Sequence, residues 1–168
     1  PPFDSYNPFT SINNGFGFIG GKYPKQCAQA VHVIAKCLNF PIYHPENPKW
    51  GLDQLYASAL RALGIIGSAD PASVSNSVFF MVRCMGDSYK YKFFKAQNPN
   101  DPNSLRYTST RAVEAVGGSS PPIVIPHLVT TLNDSETVVS DYAHKLLGRL
   151  FVNKPHQTTI PATLKCTT

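Results

Sequence analysis

The sequence predicts an all-α fold, an α-solenoid of about three antiparallel helix pairs with an irregular N-terminal arm. Three observations predict it. Apolar residues recur every three or four positions over most of residues 24–152, as on one face of a helix. The pattern Ala-x-x-x-Leu/Val-Gly occurs at Ala59–Gly64, Ala112–Gly117 and Ala143–Gly148. Prolines stand near both ends and between the periodic segments, where they would separate helices.

The first segment, residues 1–23, is rich in Gly, Asn and Pro, which disfavour regular structure. Four phenylalanines lie among them, and a solvated linker has no use for such side chains. We therefore expect an irregular arm packed over the first helix, with a binding loop as the alternative.

The first helix pair is predicted over residues 24–40 and 51–68. Pro24 suits the first turn of a helix, and Pro41 disfavours helical geometry in the residue before it. A proline-broken connection, residues 41–50, leads to the second helix. That helix carries an apolar stripe at helical spacing: Leu52, Leu55, Ala59, Leu63 and Ile66.

The second pair is predicted over residues 70–87 and 104–118. Asp70 can cap a helix, and Pro71 fits its first position. Residues 88–103 interrupt the pattern as an insertion that is basic and aromatic, then rich in Pro and Asn.

The third pair covers residues 121–150, from about Ile123 to Leu132 and again from about Val139 to Leu150. Between these helices, the run Asn133–Glu136 favours a turn because Asn, Asp and Ser side chains bond nearby backbone groups. The third pair precedes a Thr- and Pro-rich extended tail, residues 153–168.

The third pair resembles a HEAT repeat of the HEAT/armadillo-like helical repeat family. The residues that carry the resemblance are Leu132, Asp134, Val139, Ala143, Leu147, Gly148 and Leu150. The chain departs from the family pattern at Thr137, where Pro is common, and at Ser140, where Arg is common. The resemblance implies a helical-repeat domain over residues 24–152 in which the second helices of successive pairs line a concave surface.

Length and composition are those of one globular domain: 168 residues, 42% hydrophobic and 15% charged. The apolar runs are too short for a membrane helix. The four cysteines show no metal-like spacing, which predicts buried thiols in an intracellular protein, cytoplasmic or nuclear. The chain begins Pro-Pro-Phe without Met, so we expect a processed product or an excised fragment.

The sequence contains none of the common catalytic motifs: no nucleophile elbow, no H-E-x-x-H and no paired carboxylates. We therefore expect no enzymatic activity, no cofactor, no metal site and no small-molecule substrate. The expected function is a protein-protein interaction scaffold, a fragment of a larger helical-repeat protein or assembly subunit that binds a protein partner or neighbouring subunits.

The candidate partner-binding residues face solvent on the second helices if the resemblance holds. Five of them are basic: Arg61, Arg106, Arg111, Lys145 and Arg149. Acidic residues Asp53, Glu114 and Asp141 belong to the same set. An ordinary solvated helix face is the alternative for each of them.

Nucleic-acid binding through residues 88–107 is the alternative function. Its candidate residues are cations and aromatic rings, which alternate at its start: Tyr89, Lys90, Tyr91, Lys92 and Lys95, together with Phe93, Phe94, Arg106 and Tyr107. Cations would contact phosphates and aromatic rings would stack on bases, and the net charge of +5 is in the right direction. The same alternation also fits a flap with its rings packed inward.

Overall fold

The computed structural model describes residues 8–39, 52–85, 105–135 and 137–153. These residues form helices and turns with no strand among them, which confirms the all-α class. The helices are α1 (Pro8–Lys22), α2 (Pro24–Asn39), α3 (Leu52–Ala69), α4 (Pro71–Val74), α5 (Val78–Arg83), α6 (Leu105–Ser119), α7 (Pro121–Thr131) and α8 (Thr137–Asn153).

Helix α3 lies at the centre of the described structure. It packs against α1 on one side and α6 on another, and α6 in turn packs against α8. A second series of contacts joins α2 to α4 and α5, and α5 to α7. The two helices of each predicted pair are also in contact, since α2 touches α3, α5 touches α6 and α7 touches α8.

The apolar stripes of these helices meet in one hydrophobic core, which extends from Val31 in α2 to Leu150 in α8. Its fully buried side chains include Ile34, Leu63, Ile66, Val113 and Leu146. In α2, α7 and α8 the buried residues recur three or four positions apart, so the helical period in the sequence gives the buried face there. In the first half of α3 every residue from Leu55 to Leu60 is buried, because this helix packs against α1, α2 and α6.

Residues 8–22 are helical, so the prediction of an irregular arm is wrong for that part of the chain. The reason is close packing between α1 and α3. A Cβ atom on Gly17 would lie 3.0 Å from the Cα of Ala62, and one on Gly20 would lie 2.4 Å from Cγ1 of Ile66. The glycines weaken the isolated helix, but they allow α3 to approach closely, and packing outweighs propensity.

The segment predicted as one helix over residues 70–87 is broken into α4, a short 3₁₀ turn at Ser75–Ser77, and α5. Hydroxyl groups compete for backbone acceptors here, since the Ser73 hydroxyl donates to the Asp70 carbonyl and the Ser75 hydroxyl to the Ala72 carbonyl. Asp70 does occupy the N-cap position and Pro71 begins α4 as predicted, although the Asp70 side chain makes no capping hydrogen bond.

The predicted insertion at 88–103 lies outside the described residues, and so does the predicted tail from residue 154 onward. Cys27 and Cys84 are buried as free thiols. None of the described helices is both long enough and apolar enough to cross a bilayer.

Candidate partner-binding groove

The candidate site begins with the close contact between α3 and α6. A Cβ atom on Gly64 would lie 2.9 Å from the Cα of Ala112, so the two backbones meet there without an intervening side chain. Larger side chains flank this contact on the outer faces of both helices. The contact therefore forms the floor of a groove whose walls are the exposed residues of α3 and α6.

The groove has a volume of about 410 Å³ and is open to solvent. Its lining comes from two helix faces, with Arg61, Ile65 and Ser68 on α3 and Tyr107, Thr108, Arg111 and Ala115 on α6. The spacing of four residues between Arg61 and Ile65, and between Tyr107 and Arg111, places each pair on one side of its helix. Ile65 is 46% exposed and Tyr107 is 38% exposed, so apolar and aromatic surface is accessible there.

A cluster of charges continues from the groove onto α8. The Glu114 carboxylate forms two ion pairs. Its Oε2 atom lies 3.1 Å from a guanidinium nitrogen of Arg111, and its Oε1 atom lies 3.2 Å from a guanidinium nitrogen of Arg149 in α8. One carboxylate is thus shared by two guanidinium groups from two helices. Arg61 makes no ion pair or hydrogen bond with the described residues. The described residues of the groove and its margin therefore carry more positive than negative charge.

Lys145 also lies on this side of α8, with its Nζ atom 5.4 Å from the centroid of the Tyr142 ring. The ring holds the cation by electrostatic attraction to its face. Lys145 is exposed, as expected for a residue that faces solvent on a second helix.

Arg106 does not face solvent, so that part of its prediction is wrong. The residue is 8% exposed, its Nε donates a hydrogen bond of 3.0 Å to the Met85 carbonyl, and its guanidinium lies 5.9 Å from the Tyr142 ring. Arg106 shares a helix face with Ser109, three residues later, whose hydroxyl bonds the Met81 carbonyl of α5. That face points inward, which makes Arg106 a structural residue of α6.

The structure therefore brings together Arg61 and Arg111 at the groove and links Arg111 to Arg149 through Glu114. Most of the residues predicted to contact nucleic acid lie outside the described part of the chain: Tyr89, Lys90, Tyr91, Lys92, Phe93, Phe94 and Lys95. Of the other two, Arg106 is buried and Tyr107 lines the groove. The Asp53 side chain is likewise outside it, while Asp141 is exposed on α8.

Ile65 lines the groove but was not predicted from the sequence, and the same is true of Ser68 and Ala115. The position of Ile65 falls outside the apolar stripe of α3, which contains Leu63 and Ile66. The available signal was an apolar residue four positions after Arg61, on the solvent side of a helix whose other face is already apolar. Such a residue has no core to enter, so it marks accessible apolar surface.

Comparison with known proteins gave no match. No family model matches the chain, and neither a curated protein nor a solved structure matches it.

Proposed function

We propose that the chain is a non-catalytic scaffold for protein-protein interaction, built as an α-solenoid of antiparallel helix pairs. It would be a fragment of a larger helical-repeat protein or assembly subunit. The α-solenoid is the arrangement that the resemblance of residues 121–150 to HEAT repeats implies. Its partner surface is the exposed side of α3, α6 and α8.

The order of helix contacts supports a stack of pairs. The second helices of the predicted pairs contact one another in sequence order, α3 with α6 and α6 with α8. The first helices do the same through α2, α5 and α7. Two parallel series of neighbour contacts are the expected outcome when each repeat buries its apolar face against the next.

The glycines of the recurring pattern support it as well. Gly64 faces Ala112 on the following second helix, and Gly117 faces Leu150 on the one after that. Gly148 occupies the same place in the third copy of the pattern, and a Cβ atom added there would have no described atom from outside its own helix within 4 Å. In α3 and α6 the recurring glycine thus lies on the side of the helix that contacts the next second helix.

The observation that carries the functional proposal is the groove between α3 and α6. It combines exposed Tyr and Ile side chains with two arginines, and aromatic residues and arginine are the types that contribute most to protein interfaces. An isolated solvated face would scatter such residues rather than place them around one concavity.

Photo-crosslinking tests the proposal. A benzophenone amino acid would replace Tyr107 in the groove and, as matched controls, the exposed Val33 of α2 and Thr130 of α7. We expect a discrete protein adduct from position 107 only. The purified partner should then bind the chain at least about tenfold more weakly when Arg61 and Arg111 are both changed to Glu.

Two results would contradict the scaffold proposal. One is adduct formation that is equal at positions 33, 107 and 130, since this would mean unspecific contact. The other is an adduct at position 107 that contains nucleic acid and no protein, which would favour the alternative function.

A further inference from the structure

The charges around the α3–α6 groove are unbalanced. Among the residues that the structure describes, three guanidinium groups, those of Arg61, Arg111 and Arg149, are accompanied by one carboxylate, that of Glu114. Glu114 contacts Arg111 and Arg149 and leaves Arg61 without an ion pair among the described residues. A ligand that supplies a carboxylate would complete this cluster.

The geometry of the two helices suits a carboxylate ligand. Arg61 projects from the α3 wall and Arg111 from the α6 wall, so a ligand in the groove has a guanidinium group on each side. A guanidinium group presents several N–H donors in a fixed plane that match the two oxygens of a carboxylate. The floor contributes no competing charge, because it is formed by Gly64 and Ala112.

The remaining lining is mixed: Ile65, Tyr107 and Ala115 are apolar or aromatic, whereas Ser68 and Thr108 carry hydroxyl groups. Ile65 and Tyr107 are partly exposed, and Ala115 completes the α6 wall. The volume of about 410 Å³ lies within the range of about 300–1,000 Å³ typical of ligand pockets. Because the groove is open to solvent, it suits a few side chains of a polypeptide better than an enclosed small molecule.

We propose that this groove binds an acidic peptide segment of the partner protein. A Glu or Asp carboxylate of the segment pairs with Arg61 and Arg111, and a neighbouring apolar side chain covers Ile65 and Tyr107. The proposal rests on the proposed scaffold function, to which it adds the chemistry of the partner.

The acidic residues on this surface favour a peptide over a nucleic acid. A nucleic-acid backbone presents a phosphate at every nucleotide and is bound best by a continuous series of cations. Glu114 lies within the basic cluster and the exposed Asp141 lies on the same helix as Arg149, so both would repel a continuous run of phosphates. A peptide can place its carboxylates only where the arginines are.

Selection from a displayed library of short random peptides tests the proposal. Wild-type protein should enrich peptides in which Asp or Glu lies close to a large apolar residue. The variant with Arg61→Ala and Arg111→Ala should not enrich them. Because both arginines are exposed, we expect the variant to fold like the wild type. Circular dichroism and urea unfolding verify this.

Binding of the selected peptides, made synthetically with a fluorophore, provides the quantitative test. We expect the dissociation constant to rise at least about tenfold for each of Arg61→Ala and Arg111→Ala. The matched control is Lys36→Ala, which removes an exposed cation on α2, outside the groove. This variant should leave the dissociation constant unchanged. Replacing the peptide's Glu and Asp by Gln and Asn should weaken binding by a similar factor.

Three outcomes would overturn the proposal: enrichment without acidic residues, equal affinity for the acidic and amide peptides, or tighter binding of a single-stranded oligonucleotide through the same two arginines. The scaffold function fails separately, through the crosslinking result at position 107. A protein adduct there together with no acidic-peptide binding would retain the scaffold and discard only the acidic partner.

Discussion

The Cα atom of Ala112 in α6 lies 2.9 Å from the position that a Cβ atom would occupy on Gly64 in α3. This separation is shorter than real Cβ atoms show, so only glycine fits at position 64 with the helices where they are. The contact sets the distance between α3 and α6 and therefore the depth of the groove that carries Arg61 and Arg111.

Substitution Gly64→Ala should lower the free energy of unfolding by about 1–3 kcal/mol, since the added methyl group meets backbone atoms that cannot rotate away. Part of that loss is offset by the better helix propensity of Ala, by up to about 1 kcal/mol. Urea unfolding followed by circular dichroism measures the net change.

Gly148→Ala is the matched control for that substitution. Gly148 holds the same place in its copy of the sequence pattern, is exposed, and leaves open space where an added Cβ atom would lie. We expect its stability to rise by up to about 1 kcal/mol from helix propensity alone. If both variants changed stability equally, the close approach at Gly64 would have no energetic consequence.

The fold class was predictable because the buried stripes repeat at helical spacing, and residues such as Leu63 and Val113 are buried as that period requires. Helix α1 was not predictable, because glycine usually indicates a loop or a turn. Gly17 and Gly20 instead lie in a helix, at positions where it contacts α3 closely. Periodicity within one segment cannot tell a glycine of a loop from a glycine of a tight helix contact.

The candidate site was predictable in part for a similar reason. Helical spacing gives the solvent side of α3, so Arg61 was found. Helical spacing does not give the direction of Arg106 near the start of α6. The side chain points inward because it bonds the Met85 carbonyl, a partner distant in sequence. The groove itself exists only between two helices, so no single segment contains its signal.

The contact between α1 and α3 includes a buried polar pair whose coupling can be measured. The Asn13 side-chain amide donates to the Ser58 hydroxyl at 3.1 Å, and that hydroxyl donates to the Leu55 carbonyl at 2.7 Å. We expect Asn13→Ala to cost about 1–2 kcal/mol of stability, because the bond is lost in a buried position.

A double-mutant cycle with Ser58→Ala should give a coupling energy of about 0.5–1.5 kcal/mol. The measurement is urea unfolding of the wild type, both single variants and the double variant. A coupling energy near zero would show that α1 does not hold Asn13 against α3 in solution.

Arg106 should matter for stability rather than for partner binding. Removing the side chain takes away the charged donor to the Met85 carbonyl and the cation–π contact with the Tyr142 ring. We therefore expect Arg106→Ala to lower the free energy of unfolding by about 1.5–3 kcal/mol. Arg111→Ala, at an exposed position on the same helix, should cost less than about 1 kcal/mol. Thermal and urea unfolding of both variants compare them, and equal costs would contradict the buried role of Arg106.

The pKa of His127 in α7 is lowered from its ordinary value of about 6.5 because burial disfavours the imidazolium form. Its ring lies 6.3 Å from the Phe79 ring of α5, in surroundings that keep part of the imidazole away from water. The unfolded chain therefore takes up a proton more readily than the folded one. Stability should fall as pH drops below about 6.5 and level off below the folded-state pKa.

Urea unfolding at several pH values between neutral and mildly acidic measures this dependence, and an NMR titration of the ring protons gives the folded-state pKa. The variant His127→Gln removes the titrating group while keeping a polar side chain of similar reach. It should lose the part of the pH dependence that lies just below pH 6.5. An unchanged profile in this variant would assign that dependence to other groups.

Glu114 competes with the proposed ligand for the same guanidinium groups, which makes its removal informative. Glu114→Gln breaks the ion pairs to Arg111 and Arg149 at once, yet both arginines are largely exposed, so stability should fall by less than about 1 kcal/mol. Acidic peptides should bind several-fold more tightly, because Arg111 no longer has an internal carboxylate. The effect should shrink as salt screens the charges.

Asp141→Asn is the matched control for this change, since it removes one exposed negative charge from α8 without releasing a groove arginine. Fluorescence titration with the same peptide compares the two variants. Equal tightening in both would mean that only net charge matters. Weaker binding in Glu114→Gln would mean that Glu114 holds Arg111 in the conformation that binds the peptide. The prediction that Glu114 competes with the peptide carboxylate would then be wrong.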